Sequence, residues 1–146
     1  LDIGCGHGVA TALALAAVPD GRVIALDRSP KMADAVRRRL GREIEQGTVE
    51  VVTASIADAD LAPGRVDAAL AVNVIALVDD PSQLDAVVTA LAPGGRFALV
   101  FEPPSTDQVA AIERAARAAF ARAGLEVVAS GDDPARVAIL GRRAAG

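Results

Sequence analysis

The chain has 146 residues, 52% of them hydrophobic, which suits one domain spanning residues 1–146 and leaves little for a second. A formal net charge of −4 lacks the basic footprint of a protein devoted to nucleic acid, so no nucleic-acid partner is expected. One cysteine, Cys5, excludes an internal disulfide or a zinc cluster and fits a reducing cytoplasm, while no apolar stretch reaches the about 20 residues of a membrane span.

The chain opens on a short apolar strand, Leu1-Asp2-Ile3, that runs at once into Gly4-Cys5-Gly6-His7-Gly8. Alternating glycines at a strand-to-helix turn leave the backbone open to close approach by a ligand and reach positive φ at little cost. The helix that follows, over about residues 9–18, points its amide end at that gap and favours an anionic group there, such as a carboxylate. With so little before the first glycine and no initiating methionine, an upstream segment is expected to be missing.

After the turn Pro19-Asp20-Gly21, residues 22–27 read as a second strand ending in Asp27. Ser29 and Pro30 read as the cap and first position of a helix whose apolar stripe is Met32, Val36, Leu40 and Ile44. Third and fourth strands are expected near residues 49–54 and 66–72. Asp80-Pro81-Ser82-Gln83 carries a capping-box pattern and opens a helix through about Leu91, which Pro93-Gly94-Gly95 stops. Residues 96–101 form a fifth strand, and residues 107–123 a long helix with Val109, Ile112, Ala116 and Phe120 inward and Gly124 as its stop. Two further strand-like runs, 125–129 and 136–140, are separated by a link too short for a helical crossover, so they pair antiparallel. The alternation predicts an α/β fold: a doubly wound, Rossmann-like sheet of seven strands, mostly parallel with an antiparallel last strand and helices on both faces.

Asp27 lies nineteen residues beyond Gly8, at the strand end where an acid binds both hydroxyls of a ribose. A dinucleotide fingerprint, counted from Gly4, requires a third glycine where this chain has Val9. The Asp-x-Gly-x-Gly-x-Gly pattern, with Asp27-Arg28-Ser29-Pro30-Lys31-Met32 and Leu91-Ala92-Pro93-Gly94-Gly95-Arg96 in register, resembles the class I S-adenosylmethionine-dependent methyltransferases over essentially the whole chain. The resemblance implies S-adenosylmethionine as cofactor and transfer of its methyl group by in-line displacement to a small-molecule acceptor. It also implies roles for particular residues. Gly4, Gly6, His7 and Gly8 line the methionine and ribose side, Asp2 favours the ammonium, Asp27 holds the ribose hydroxyls, and Arg28 with Met32 borders the adenine.

One departure stands out. Where the family often has Gly-Asp after the third strand, this chain has Ala54-Ser55. Ser55 accepts a hydrogen bond without bringing charge, Ile56 offers backbone contact to the ring, and Asp58 substitutes for the acid if the loop is longer than the spacing suggests. Asn73, at the end of the fourth strand, either lines the same cleft or closes a turn, and the Val74-Ile75 after it departs from an Asn-Pro-Pro-aromatic tetrad.

His7 is the candidate general base, against a plainer role in loop packing. Cys5 reads as packing, Arg37, Arg38, Arg39 and Arg42 as a solvated helix face, and Phe97, Phe101 and Phe120 as core. Two other functions remain open at this point. One is a non-catalytic S-adenosylmethionine-binding remnant, suggested by Ala54-Ser55 and the lack of an evident base. The other is a NAD-dependent oxidoreductase, opposed by Val9, the terminal hairpin and the absence of any tyrosine.

Overall fold

The computed structural model describes residues 1–146, which fold as two units, Leu1–Ala59 and Asp60–Gly146. In the first, β1 (Asp2–Ile3), β2 (Val23–Asp27) and β3 (Val49–Thr53) are linked through α1 (Val9–Ala17), α2 (Pro30–Arg39) and α3 (Gly41–Glu45). The three strands are parallel in the order β3-β2-β1, with Asp2 opposite Ala25 and Asp27 opposite Thr53. All three C-terminal ends therefore open on the same edge. Beneath them Cys5, Ala25, Val36, Leu40 and Val49 form a buried cluster on which Ala12, Leu15, Ile44 and Val51 pack.

The apolar stripe expected of one helix belongs to two. Leu40 leaves the helical region at φ −118° and ψ 31°, and Gly41, a poor helix former, begins α3. Val36 and Leu40 are buried, whereas Met32 and Ile44 are only half-buried. Ser29 does not cap α2 with its hydroxyl; its backbone N–H instead donates to the Asp27 carboxylate at 2.9 Å.

The second unit holds β4 (Val66–Val72), α4 (Ala76–Asp79), α5 (Pro81–Ala90), β5 (Leu91–Phe101), a 3₁₀ turn (Thr106–Gln108), α6 (Val109–Arg122), β6 (Leu125–Ser130) and β7 (Val137–Arg143). Its strand order is β4-β5-β7-β6, and β7 runs antiparallel to both neighbours. The expected terminal hairpin is therefore present, with the last strand inserted beside β5. Asp80 caps α5 by accepting from the Ser82 amide at 2.9 Å, but Gln83 reaches its carboxylate rather than its backbone N–H, so the capping box is not reciprocal.

Pro93-Gly94-Gly95 is not a stop before the fifth strand. β5 already begins at Leu91, paired with Val66, and the register shifts before Ala68 meets Arg96, so these residues form an irregularity within the strand. α5 ends at Ala90 instead, where Arg143 from β7 donates to the carbonyls of Val88, Thr89 and Leu91. Phe97 and Phe120 are buried with ring centroids 5.4 Å apart; Phe101, Val109 and Ile112 are only half-buried. No helix is long and apolar enough to cross a membrane.

Candidate functional site

Gly4, Gly6 and Gly8 all have positive φ, at 67°, 52° and 78°, so the loop after β1 follows a path that L side chains rarely adopt. Gly8 serves packing: a Cβ there would lie 3.2 Å from Val36 Cγ2. At Gly6 a Cβ would meet nothing within 4 Å, so this backbone faces open space. The loop is anchored from below by the Gly4 and Cys5 amides, which both donate to the Leu26 carbonyl, at 2.8 and 3.0 Å.

Asp27 joins the surrounding segments. Its Oδ2 accepts from the Gly6 amide and its Oδ1 from the Ser29 amide, each at 2.9 Å, while its carbonyl accepts from the Ala54 amide at 3.1 Å. One residue thus ties together the glycine loop, the exit of β2 and the exit of β3. A carboxylate offers about four acceptor sites, so two backbone amides leave capacity for a vicinal diol.

Asp2 is 1% exposed and its Oδ2 accepts from the Thr11 hydroxyl at 2.6 Å, with a further bond from the Thr11 backbone. The anionic group held at the start of α1 is therefore the chain's own carboxylate. Burial pushes the Asp2 carboxyl above its ordinary range, the Thr11 bonds pull it back, and the nearby Asp27 charge adds to the rise. Thr11 was missed in the sequence, although it is the lone polar side chain of an otherwise apolar helix. Cys5 is buried and its thiol is pushed up to about 12, first by burial and then by Asp2 and Asp27, so packing is its role.

His7 and Arg28 are exposed, Met32 and Ser55 half-buried, and Ile56 is 4% exposed. The Ser55 hydroxyl donates to Asp58 Oδ2 at 2.6 Å, and the Asp58 amide donates back to the Ser55 carbonyl at 3.2 Å. Asp2, Gly4, Gly6, His7, Gly8, Asp27, Arg28, Met32, Ser55 and Ile56 all belong to the first unit. Asn73 belongs to the second. At φ 59° it turns the chain after β4, donating its amide to the Val100 carbonyl and accepting the Glu102 amide on Oδ1 at 2.8 Å. These bonds give it the turn-closing role.

The methyltransferase domain family matches residues 1–95. Trans-aconitate 2-methyltransferase of Methylobacterium radiotolerans is 35% identical over 145 residues, covering 97% of this chain; the chain spans 50% of that relative's length. Among solved structures, a SAM-dependent methyltransferase from Aquifex aeolicus superposes with a TM-score of 0.82 at 16% identity, over 97% of this chain and 79% of that one. Geranyl diphosphate C-methyltransferase from Streptomyces coelicolor A3(2), crystallised with Mg2+, geranyl diphosphate and S-adenosyl-L-homocysteine, superposes with a TM-score of 0.78 at 19% identity, over 97% of this chain and 72% of that one. The fold is the mostly parallel, Rossmann-like α/β sheet that the alternating elements predict. With residues 1–95 matching it, and the glycine loop and Asp27 lying inside that match, the chain belongs to the methyltransferase domain family.

Proposed function

We propose that the chain is a single methyltransferase domain, residues 1–146, that transfers a methyl group from S-adenosylmethionine to a small-molecule acceptor. The observation that carries this reading is the open face of Gly6, bonded through its amide to the Asp27 carboxylate. A ribose diol fits the remaining acceptor capacity of that carboxylate, and the side-chain-free loop admits the methionine part beside it. The family match, which runs past the boundary at Ala59 without interruption, supports one domain. The names of the relatives support a small acceptor: one methylates trans-aconitate, another geranyl diphosphate.

S-adenosylmethionine supplies a methyl already activated on a sulfonium, so the demands on the protein are alignment and exclusion of water. Gly4, Gly6 and Gly8 shape the loop, Asp27 orients the ribose, and Arg28, Met32, Ser55 and Ile56 border the base. Asp2 is buried under the loop and contributes negative charge from below rather than an open contact. Asn73 lies in the second unit, where its side chain is engaged in closing the turn after β4. His7, exposed on the loop, is the residue available to take a proton if the acceptor carries one. A reducing cytoplasm is the proposed location, in keeping with the free Cys5 thiol.

Calorimetric titration with S-adenosylmethionine, S-adenosylhomocysteine and NAD tests this reading. Micromolar binding of the first two without NAD is the expected result; binding of NAD alone would overturn it.

A further inference from the structure

In the second unit the exits of β4 and β5 and the entry of β7 meet at one edge. β4 and β5 are parallel, β7 is antiparallel to β5, and Val72, Val100 and Ala138 stand opposite one another across the three strands. Directly opposed residues share a face of a sheet, so these side chains form an apolar row. Val72 is exposed, Val100 and Ala138 are half-buried, and Ile75, just beyond the exit of β4, is exposed as well.

Along β5 the next position on that face is Glu102. Phe101 is opposite Val137, so Glu102 falls opposite Arg136, and Glu102 Oε1 lies 3.2 Å from Arg136 Nη2. The backbone of Glu102 is fixed from the other side: its amide donates to Asn73 Oδ1 at 2.8 Å, and Asn73 is the one non-glycine residue at positive φ. Three chain segments thus hold a single exposed carboxylate beside an apolar row.

The charges at this edge do not balance. Arg136 gives its closer contact, 2.9 Å through Nε, to Asp133, whereas its 3.2 Å to Glu102 exceeds the about 2.7 to 2.9 Å of a charge-assisted bond. The second carboxylate oxygen of Glu102 takes neither a hydrogen bond nor an ion pair. With Arg136 matched by Asp133, Glu102 remains as excess negative charge. In open α/β sheets ligands bind outside the carboxyl ends of the strands, and small-molecule sites combine apolar lining with a few placed polar groups. An ammonium, or a neutral N–H or O–H donor, complements Glu102 here; a carboxylate or phosphate is repelled.

We propose that Glu102 recognises the methyl acceptor, binding a cationic or hydrogen-bond-donating group of a molecule whose apolar body lies along Val72 and Val100, and so selects against anionic acceptors. The proposal rests on the methyl-transfer function proposed above and gives its acceptor a chemical class. Asn73 and Arg136 act through Glu102 and are positioning residues.

Hexylamine, hexanol and hexanoate share one apolar body and differ in charge at neutral pH, which makes them suitable probes. Each is titrated at low ionic strength into the isotope-labelled wild-type chain and into Glu102→Gln, with amide NMR shifts followed residue by residue. S-adenosylhomocysteine is titrated into the same samples, and both proteins are first checked for the same thermal transition. Protonated hexylamine should shift the amides of residues 72–75, 100–103 and 133–138 saturably and bind about fivefold or more tightly than hexanoate, because attraction of one probe and repulsion of the other both count at an exposed charge. Hexanol should fall between them. Glu102→Gln should erase the ratio while S-adenosylhomocysteine binds both proteins equally. Equal binding of hexylamine and hexanoate, an unchanged ratio in Glu102→Gln, shifts confined to other residues, or no saturable shift from any probe would each overturn the assignment and leave the proposed function standing. A folded wild type that failed to bind S-adenosylhomocysteine would remove both.

Discussion

Asp27 bears the heaviest duty of any single side chain, because its two carboxylate oxygens hold the Gly6 and Ser29 amides before any ligand arrives. Asp27→Ala should weaken S-adenosylmethionine binding by about 1.5 to 3 kcal/mol, the range for hydrogen bonds to a charged group, as read by calorimetry on a variant shown to fold by circular dichroism. Unchanged affinity would remove Asp27 from the site. Gly6→Val asks about the space above the loop: the residue sits at φ 52° and its Cβ would enter the open side, so binding should be abolished, and a folded variant that still bound normally would place the ligand elsewhere. Asp2 gives a pH prediction. Its folded carboxyl is raised above the ordinary 3.8, so its contribution to stability is fully present below that value and is lost as pH rises through the folded value. Asp2→Asn keeps an acceptor for the Thr11 hydroxyl but carries no charge, so its stability in denaturant titrations should stay flat over that window and exceed wild type at neutral pH. A variant less stable than wild type at neutral pH would mean that the Thr11 bonds outweigh the cost of burying the charge. The glycines and Asp27 were legible in the sequence because their residue types have few other reasons to occur in that register. The Thr11 bond to Asp2 was not, since a lone hydroxyl in an apolar helix does not reveal its partner.

The elements repeat this division between local and distant causes. Each parallel strand and its helix could be read from hydrophobic runs and breakers, because the signals are local. The misreadings occur where a neighbouring element decides the outcome. Pro93-Gly94-Gly95 reads as a stop, yet β5 pairs with β4 on both sides of it, and a Cβ at Gly95 would come within 2.8 Å of the Ala92 carbonyl and 3.1 Å of the Asp67 carbonyl. Likewise Gly141 looks like a weak point in β7. Its reason is packing: a Cβ there would lie 2.8 and 2.9 Å from two atoms of the Phe120 ring, itself packed at a tilt against Phe97, and 3.2 Å from Leu125 Cβ. Gly141→Ala should therefore destabilise the fold by about 1 to 3 kcal/mol, the usual cost of an overpacked core, despite alanine's better fit to a strand. Chemical denaturation reads this directly, and a variant as stable as wild type would show that α6 can shift away from β7 at no cost.

For the molecule as a whole, a ligand that binds only the folded state stabilises it by mass action, by about 2.7 kcal/mol at a hundredfold excess over its dissociation constant. S-adenosylhomocysteine should therefore raise the thermal transition, and NAD at equal concentration should not. Where the added protection falls is equally telling. Eight of the proposed contact residues, Gly4, Gly6, His7, Gly8, Asp27, Arg28, Ser55 and Ile56, lie on the three segments leaving β1, β2 and β3, which share one edge of the parallel strands β3-β2-β1 and which Asp27 already links by backbone amides. Ligand contact with that edge should slow amide exchange over residues 4–8, 27–29 and 54–58 together, because loosening any one loop breaks a bond to Asp27. The amides of β6 and β7, which pair with each other and with β5 inside the second unit, should slow only as far as global unfolding is suppressed. Protection confined to a single loop would break the link through Asp27. Uniform slowing at every amide would reduce the effect to global stability alone and leave these three loops without a distinct role in binding.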